Sequence, residues 1–263
     1  MLGGKQVYKR LFVVGAMIAI ALFLSGCTQI DQPITEDSEG FWNSFFVYPL
    51  SFLITYIAED IFNHGFGLAI IIVTLLLRTL ILPLNIKQLK SSQAMQMIQP
   101  ELQALREKYS SKDQQTQQKL QQETMALFQR HGVNPLAGCL PIIVQMPILI
   151  AFYHAIVRTE AIENYTFLWF SLGEPSIIMA VITFTTTFIQ QKLMMAGSPA
   201  AANPQMQVML YLMPVMIGAF ALFFPSALAL YWVVGNLFMI AQTLLVRRPM
   251  MKQLEKDNGG SKK

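Results

Sequence analysis

Residues 70–82 read Ile70-Ile71-Ile72-Val73-Thr74-Leu75-Leu76-Leu77-Arg78-Thr79-Leu80-Ile81-Leu82, a single arginine set inside an otherwise apolar run. The run extends from about Gly65 to Ile86, the length a helix needs to cross a hydrocarbon core of roughly 30 Å. It therefore predicts a membrane span. A backbone that crosses lipid must satisfy its own hydrogen bonds, so the chain is expected to be an all-α integral membrane protein. Burying Arg78 costs about 2.5–3.5 kcal/mol on insertion scales, so water or polar side chains must face it. Lys87 marks the nearest polar boundary, about 12 Å along the helix, which is far for Arg78 to snorkel. A structural ion pair is also excluded, because no later span contains Asp or Glu. The remaining reading is a wet polar cavity in mid-membrane.

Composition agrees. Of 263 residues, 54% are hydrophobic and 13% charged, about half the roughly 25% charge of a soluble domain. No Asp, Glu, Lys or Arg occurs between Lys192 and Arg247. Further spans are expected at 135–157, 177–195, 206–224 and 226–246, after the first at 65–86. Only Phe223-Phe224-Pro225-Ser226 joins the last two, which predicts a tight antiparallel hairpin. Two cysteines, Cys27 and Cys139, make no disulfide framework, and neither is expected to be bridged.

The N-terminus sets the sidedness. Lys5, Lys9 and Arg10 precede a short apolar run that ends Leu24-Ser25-Gly26-Cys27, which resembles a bacterial lipobox. Residues 1–26 read as a lipoprotein signal peptide and Cys27 as a lipid-bearing residue outside the cytoplasm; an uncleaved anchor is the alternative. The acidic stretch 27–64 then stays outside and contains an interfacial helix, because Asn43, Pro49 and Glu59-Asp60 interrupt its aromatic-rich apolar run. Charge gives an independent test, since Lys and Arg excess marks cytoplasmic loops. Segment 87–134 and the tail 247–263 carry that excess, whereas Arg158 in loop 158–176 faces Glu160, Glu163 and Glu174. Segment 87–134, loop 196–205 and the tail are thus expected in the cytoplasm and loop 158–176 outside.

Within 87–134, Gln, Leu, Lys, Glu and Ala dominate, and Tyr109-Ser110-Ser111-Lys112-Asp113 breaks the run. Two antiparallel helices are expected, held loosely by sparse apolar positions such as Leu102, Leu105, Leu120, Met125 and Leu127. From spacing alone, a docking arm and a solvated connector are equally compatible.

Several spans offer polar faces to Arg78. Gln145 lies between Pro141 and Pro147; Thr183, Thr187 and Gln190 share a helical stripe; Trp232 and Asn236 share another, and Tyr231 adds a hydroxyl. Each alone reads as helix-packing glue, but with an unpaired arginine they favour a polar groove. His64, His131 and His154 are scattered, and no HExxH, CxxC, GxGxxG or Walker pattern occurs. The sequence supports no enzyme, metal, cofactor or nucleic-acid site. The methionines near the third and fourth spans suit varied apolar partners but also fill ordinary cores.

At these residues the chain resembles the YidC and Oxa family of membrane protein insertases, in its five-span lipoprotein-type branch. The likeness rests on the Arg-bearing first span with Leu82-Pro83-Leu84, on Gln121-Gln122-Glu123-Thr124-Met125-Ala126-Leu127-Phe128, and on Asn134-Pro135-Leu136-Ala137-Gly138-Cys139. It continues through Gln145-Met146-Pro147, Phe167-Leu168-Trp169-Phe170 and Tyr231-Trp232-Val233-Val234-Gly235-Asn236. The resemblance implies five helices around a hydrophilic groove closed to the outside, and a cytoplasmic hairpin that receives substrate. It also implies newly made membrane proteins as clients, with the Sec translocon, the ribosome and membrane lipids as partners. A small anion transporter or channel is the alternative, although no second Arg-bearing span or inverted repeat supports it.

Overall fold

The computed structural model describes residues 30–111, 113–133, 140–196, 204–247 and 249. The signal peptide, Cys27, Cys139, most of loop 196–205 and nearly all of the tail lie outside the described residues. Among the described residues the fold is helical, with a single two-stranded element.

Helix α1, Asn43–Ile61, is α-helical over Tyr48–Tyr56 and π-helical at both ends. It is long and apolar enough to cross a membrane, as are 66–89, 177–195 and 226–246. Its contacts show that it does not run alongside the others. Asn43 accepts a 2.7 Å hydrogen bond from Arg158, the Ser51 hydroxyl lies 2.6 Å from that of Thr159, and His64 just beyond the helix stacks on Tyr165. Both ends of α1 thus meet the same end of the bundle, called here the loop end, and the helix lies across it. Asn63 and His64 have positive φ, which turns the chain sharply into the next helix.

Helix α2, Phe66–Met97, has 32 residues, about 48 Å. The expected span end at Ile86 is not a helix end: the helix continues through Lys87 for a further eleven residues. Lys87 changes the polarity of the helix without supplying a stop, and the break comes at Ile98 before Pro100. Two shorter helices follow as expected, α3, Gln99–Lys108, and α4, Gln114–Arg130. Glu101 pairs with His131 at 3.2 Å, tying the start of α3 to the end of α4 and making the pair antiparallel. Leu102 and Leu127 are buried in this hairpin, but Met125 is 51% exposed, contrary to its expected apolar role. Asp113 caps α4 by accepting from the Thr116 amide at 2.8 Å. Hydrogen bonds from the Ser111 hydroxyl and Thr116 hold its carboxyl down at about 2.

Helix α5, Leu140–Arg158, returns to the loop end with Pro147 inside it. A short α6, Glu160–Glu163, leads to strands β1, Thr166–Phe167, and β2, Phe170–Ser171, which pair through the two-residue turn Leu168-Trp169. The spans end with α7, Ile177–Met195; α8, Pro204–Phe220; and α9, Ser226–Gln242, the last continuing as a π-helical turn, Thr243–Arg247.

Helix α9 is the hub, since it is buried on nearly every side from Ser226 to Gly235 and packs on α2 and α7. The expected tight packing of the last two spans is not found. Helix α8 packs on α7, where a Cβ at Gly218 would lie 2.9 Å from Phe184, so α7 sits between the consecutive helices α8 and α9. A short connection fixes where two helices end, not which faces meet. The main core joins Ile54, Phe66, Ile70, Val73, Phe152, Leu228 and Tyr231 near the loop end.

Candidate functional site

Arg78 lies twelve residues into α2, about 18 Å from its start. Its Nη1 donates to Oε1 of Gln145 on α5 at 3.2 Å, and Nε2 of Gln145 donates to the Tyr231 hydroxyl on α9 at 2.7 Å. The guanidinium carbon stands 5.9 Å from the centre of the Tyr231 ring, within cation–π reach. Tyr231 is fixed from behind by stacking on Phe152 at 4.4 Å. Gly235 allows this approach, because a Cβ there would sit 2.6 Å from Nη2 of Arg78. Three helices thereby hold one cation that is only half-buried. Among the described residues, the ion pairs are Arg130 with Glu123 and His131 with Glu101, so no carboxylate pairs with Arg78.

A second polar cluster begins at the next residue of α9. Asn236 Nδ2 donates to the hydroxyls of Thr187 at 2.8 Å and Thr186 at 3.3 Å on α7. Those hydroxyls return to backbone carbonyls one turn earlier, Thr187 to Thr183 at 2.7 Å and Thr186 to Ile182 at 2.9 Å. Thr183 is fully buried and its own hydroxyl has no partner. The arrangement is a polar seam along α9, cationic on the α2 side and neutral on the α7 side. Its groups can hydrogen-bond water or a peptide, and among the described residues it pairs no nucleophile with a base. Among the described residues no group of His, Cys, Asp and Glu could hold a metal ion.

Of the residues expected from sequence, Arg78 and Gln145 come together, as do Thr187 and Asn236, with Thr183 one turn away. Gln190 is half-buried and joins neither cluster, and Trp232 packs against the apolar core. Sequence reasoning left three residues out of the site. In sequence Tyr231 offers only a nearby hydroxyl, Thr186 lies one residue off the expected stripe, and Gly235 carries no polar group. The signal for Gly235 is present in the sequence: a glycine inside an apolar helix lets a neighbour approach closely.

The sequence pattern of the 60Kd inner membrane protein family matches residues 57–254, which include the arginine, both polar clusters and the hairpin. The chain belongs to this family. Among its relatives, "Membrane protein insertase YidC" of Oceanobacillus iheyensis is 60% identical over 248 residues, covering 92% of this chain and 98% of that protein. "Membrane protein insertase MisCA" of Bacillus subtilis is 60% identical over 258 residues, 97% of this chain and 98% of the relative. A solved member of the family, described as an active YidC insertase crystal structure with its first transmembrane domain resolved, superposes with a TM-score of 0.60 at 26% identity. The match covers 79% of this chain and 47% of that one.

Proposed function

We propose that this chain is a membrane protein insertase that lowers the barrier for a client's polar flank to cross the bilayer, using the seam around Arg78. The observation that carries the mechanism is a half-buried guanidinium held by an amide and an aromatic face, with no carboxylate among the described residues to neutralise it.

A client helix of about twenty residues gains roughly 6–12 kcal/mol on entering lipid, at about −0.3 to −0.6 kcal/mol per apolar residue. Its equilibrium is favourable, and the barrier lies in the polar segment that must pass hydrocarbon. A cation and hydrogen-bonding groups placed partway across shorten the apolar path and attract acidic residues. Partitioning of the apolar helix then drives the step without a nucleotide, and no covalent bond changes. The ordering of groups supports this: Arg78 supplies attraction, Gln145 and Tyr231 aim it, and Asn236 with Thr186 and Thr187 continues the polar surface on the far side of α9.

In this reading α2, α5, α7, α8 and α9 are the five spans, and α1 lies in the outer interface. The α3–α4 hairpin and the tail face the cytoplasm, the loop end faces out, and Cys27 carries lipid in a bacterial cell membrane. Newly made membrane proteins are the clients, with the hairpin their first contact and the Sec translocon and ribosome as collaborators.

The test is reconstitution of the purified chain in liposomes with a short single-span client bearing an acidic translocated flank. Protease protection of the flank in proteoliposomes, and not in empty liposomes, is expected; equal protection in both overturns the reading.

A further inference from the structure

Helices α2 and α9 both start at the loop end and run in the same direction, touching at Arg78 and Gly235. Beyond that level, toward the α3–α4 hairpin, each carries one buried amide that the fold leaves incomplete. Gln88 is 7% exposed and its Nε2 has no acceptor; Gln242 is 5% exposed and neither its Nε2 nor its Oε1 is hydrogen-bonded. Gln88 lies about 15 Å past Arg78, and Gln242 about 10 Å past Gly235. Buried amides are expensive to leave unpaired, a cost that an apolar side chain of similar size would avoid at either place.

Both helices are also irregular at this level. Pro83 interrupts the hydrogen-bond ladder of α2 five residues before Gln88. Helix α9 changes to a π-helical turn at Thr243, the residue after Gln242. Such turns recur at functional sites, and a proline lets a helix bend.

We propose that Gln88 and Gln242 form a second hydrogen-bonding station, for the peptide backbone of a client's polar flank. It is covered in the state described here and uncovered when the hairpin ends of α2 and α9 bend at Pro83 and Thr243. An amide offers two donors and an acceptor, so it pairs with both the N–H and the C=O of a segment not yet helical. Recognition is therefore independent of the client's side chains, unlike the attraction exerted by Arg78. The proposal rests on the insertion reading above.

The experiment uses the full chain in liposomes with two clients, one with an acidic and one with an uncharged polar flank, and the variants Gln88→Leu/Gln242→Leu and Arg78→Ala. The double variant is expected to keep or raise the unfolding temperature, since two unpaired amides are removed, and to insert both clients roughly fivefold more slowly, the loss of about one hydrogen bond. Arg78→Ala should act mainly on the acidic client. A photoreactive residue at position 242 should crosslink the flank of both clients when they are stalled. Normal insertion by the double variant overturns the station, as do a fall in unfolding temperature alongside activity, an effect confined to the acidic client, or crosslinks to lipid alone. A wild-type chain that inserts neither client defeats the insertion reading itself.

Discussion

Arg78 is held by one acceptor and one ring face, with no fork-shaped partner for its guanidinium. Charge should therefore matter more than shape. Arg78→Lys is expected to retain most insertion of clients with acidic flanks, whereas Arg78→Ala should slow them about tenfold, or ~1.4 kcal/mol. Matched clients differing only in flanking acidic residues check this, and equal loss for all of them would leave Arg78 a structural role alone. Tyr231→Phe keeps the stack on Phe152 but removes the acceptor of Gln145 Nε2. It should cost about 1–3 kcal/mol, read as a lower unfolding temperature in detergent. The arginine was legible because a charge stands out in a run, 70–82, whose other residues are ten apolar side chains and two threonines. Its setting was not, because Gln145 lies 67 residues from Arg78 and a further 86 from Tyr231, and spacing within one helix says nothing about which face meets another.

At the scale of elements, the α3–α4 hairpin hangs on a few local devices. Asp113 is held at about 2, below its ordinary value, so its capping contribution is complete above the ordinary carboxylate range and is lost as pH falls through about 2. Asp113→Ala should remove that contribution at neutral pH, and hydrogen exchange on the intact chain should show faster exchange at residues 114–117 with little change in α9. Ser111→Ala, which deletes one donor to the same carboxylate, should bring part of the loss to a higher pH. Shortening the hairpin between Arg106 and Lys119 should weaken client crosslinking more than it lowers the unfolding temperature; unchanged insertion of several clients would make it a connector. The pair of helices was readable from Ser110-Ser111 and the helix formers on either side. The eleven-residue extension of α2 was not, because a change from apolar to polar composition marks an interface rather than a helix end.

For the molecule as a whole, the contacts of α1 place residues 30–62 as a cover on the loop end. Arg158, 3% exposed, supports it by donating to the Gln32 carbonyl at 2.8 Å and to Asn43 at 2.7 Å. Asn43→Ala leaves a buried guanidinium short of an acceptor and should cost ~2 kcal/mol, with protection from exchange lost first in α1. Sequence reading used Arg158 only in a charge count, since its acceptors lie 115 and 126 residues away. The proposed orientation is checked by single cysteines labelled with an impermeant thiol reagent: residue 169 should react from outside intact cells and residue 107 should not.

The order in which the partners of Arg78 appear along the chain also bears on how the protein is made. A ribosome adding about 5–20 residues per second needs roughly 3–13 s to synthesise the stretch between Arg78 and Gln145, and longer to reach Tyr231. The threonines of α7 likewise precede Asn236, by 49 residues for Thr187. During its own biogenesis the nascent chain thus places a lone cation and a half-made polar face in the bilayer, seconds before anything in the polypeptide can answer them. It is itself a demanding client of whatever machinery receives it, and, on the function proposed above, a pre-existing copy offers the kind of wet surface that its newly made α2 requires.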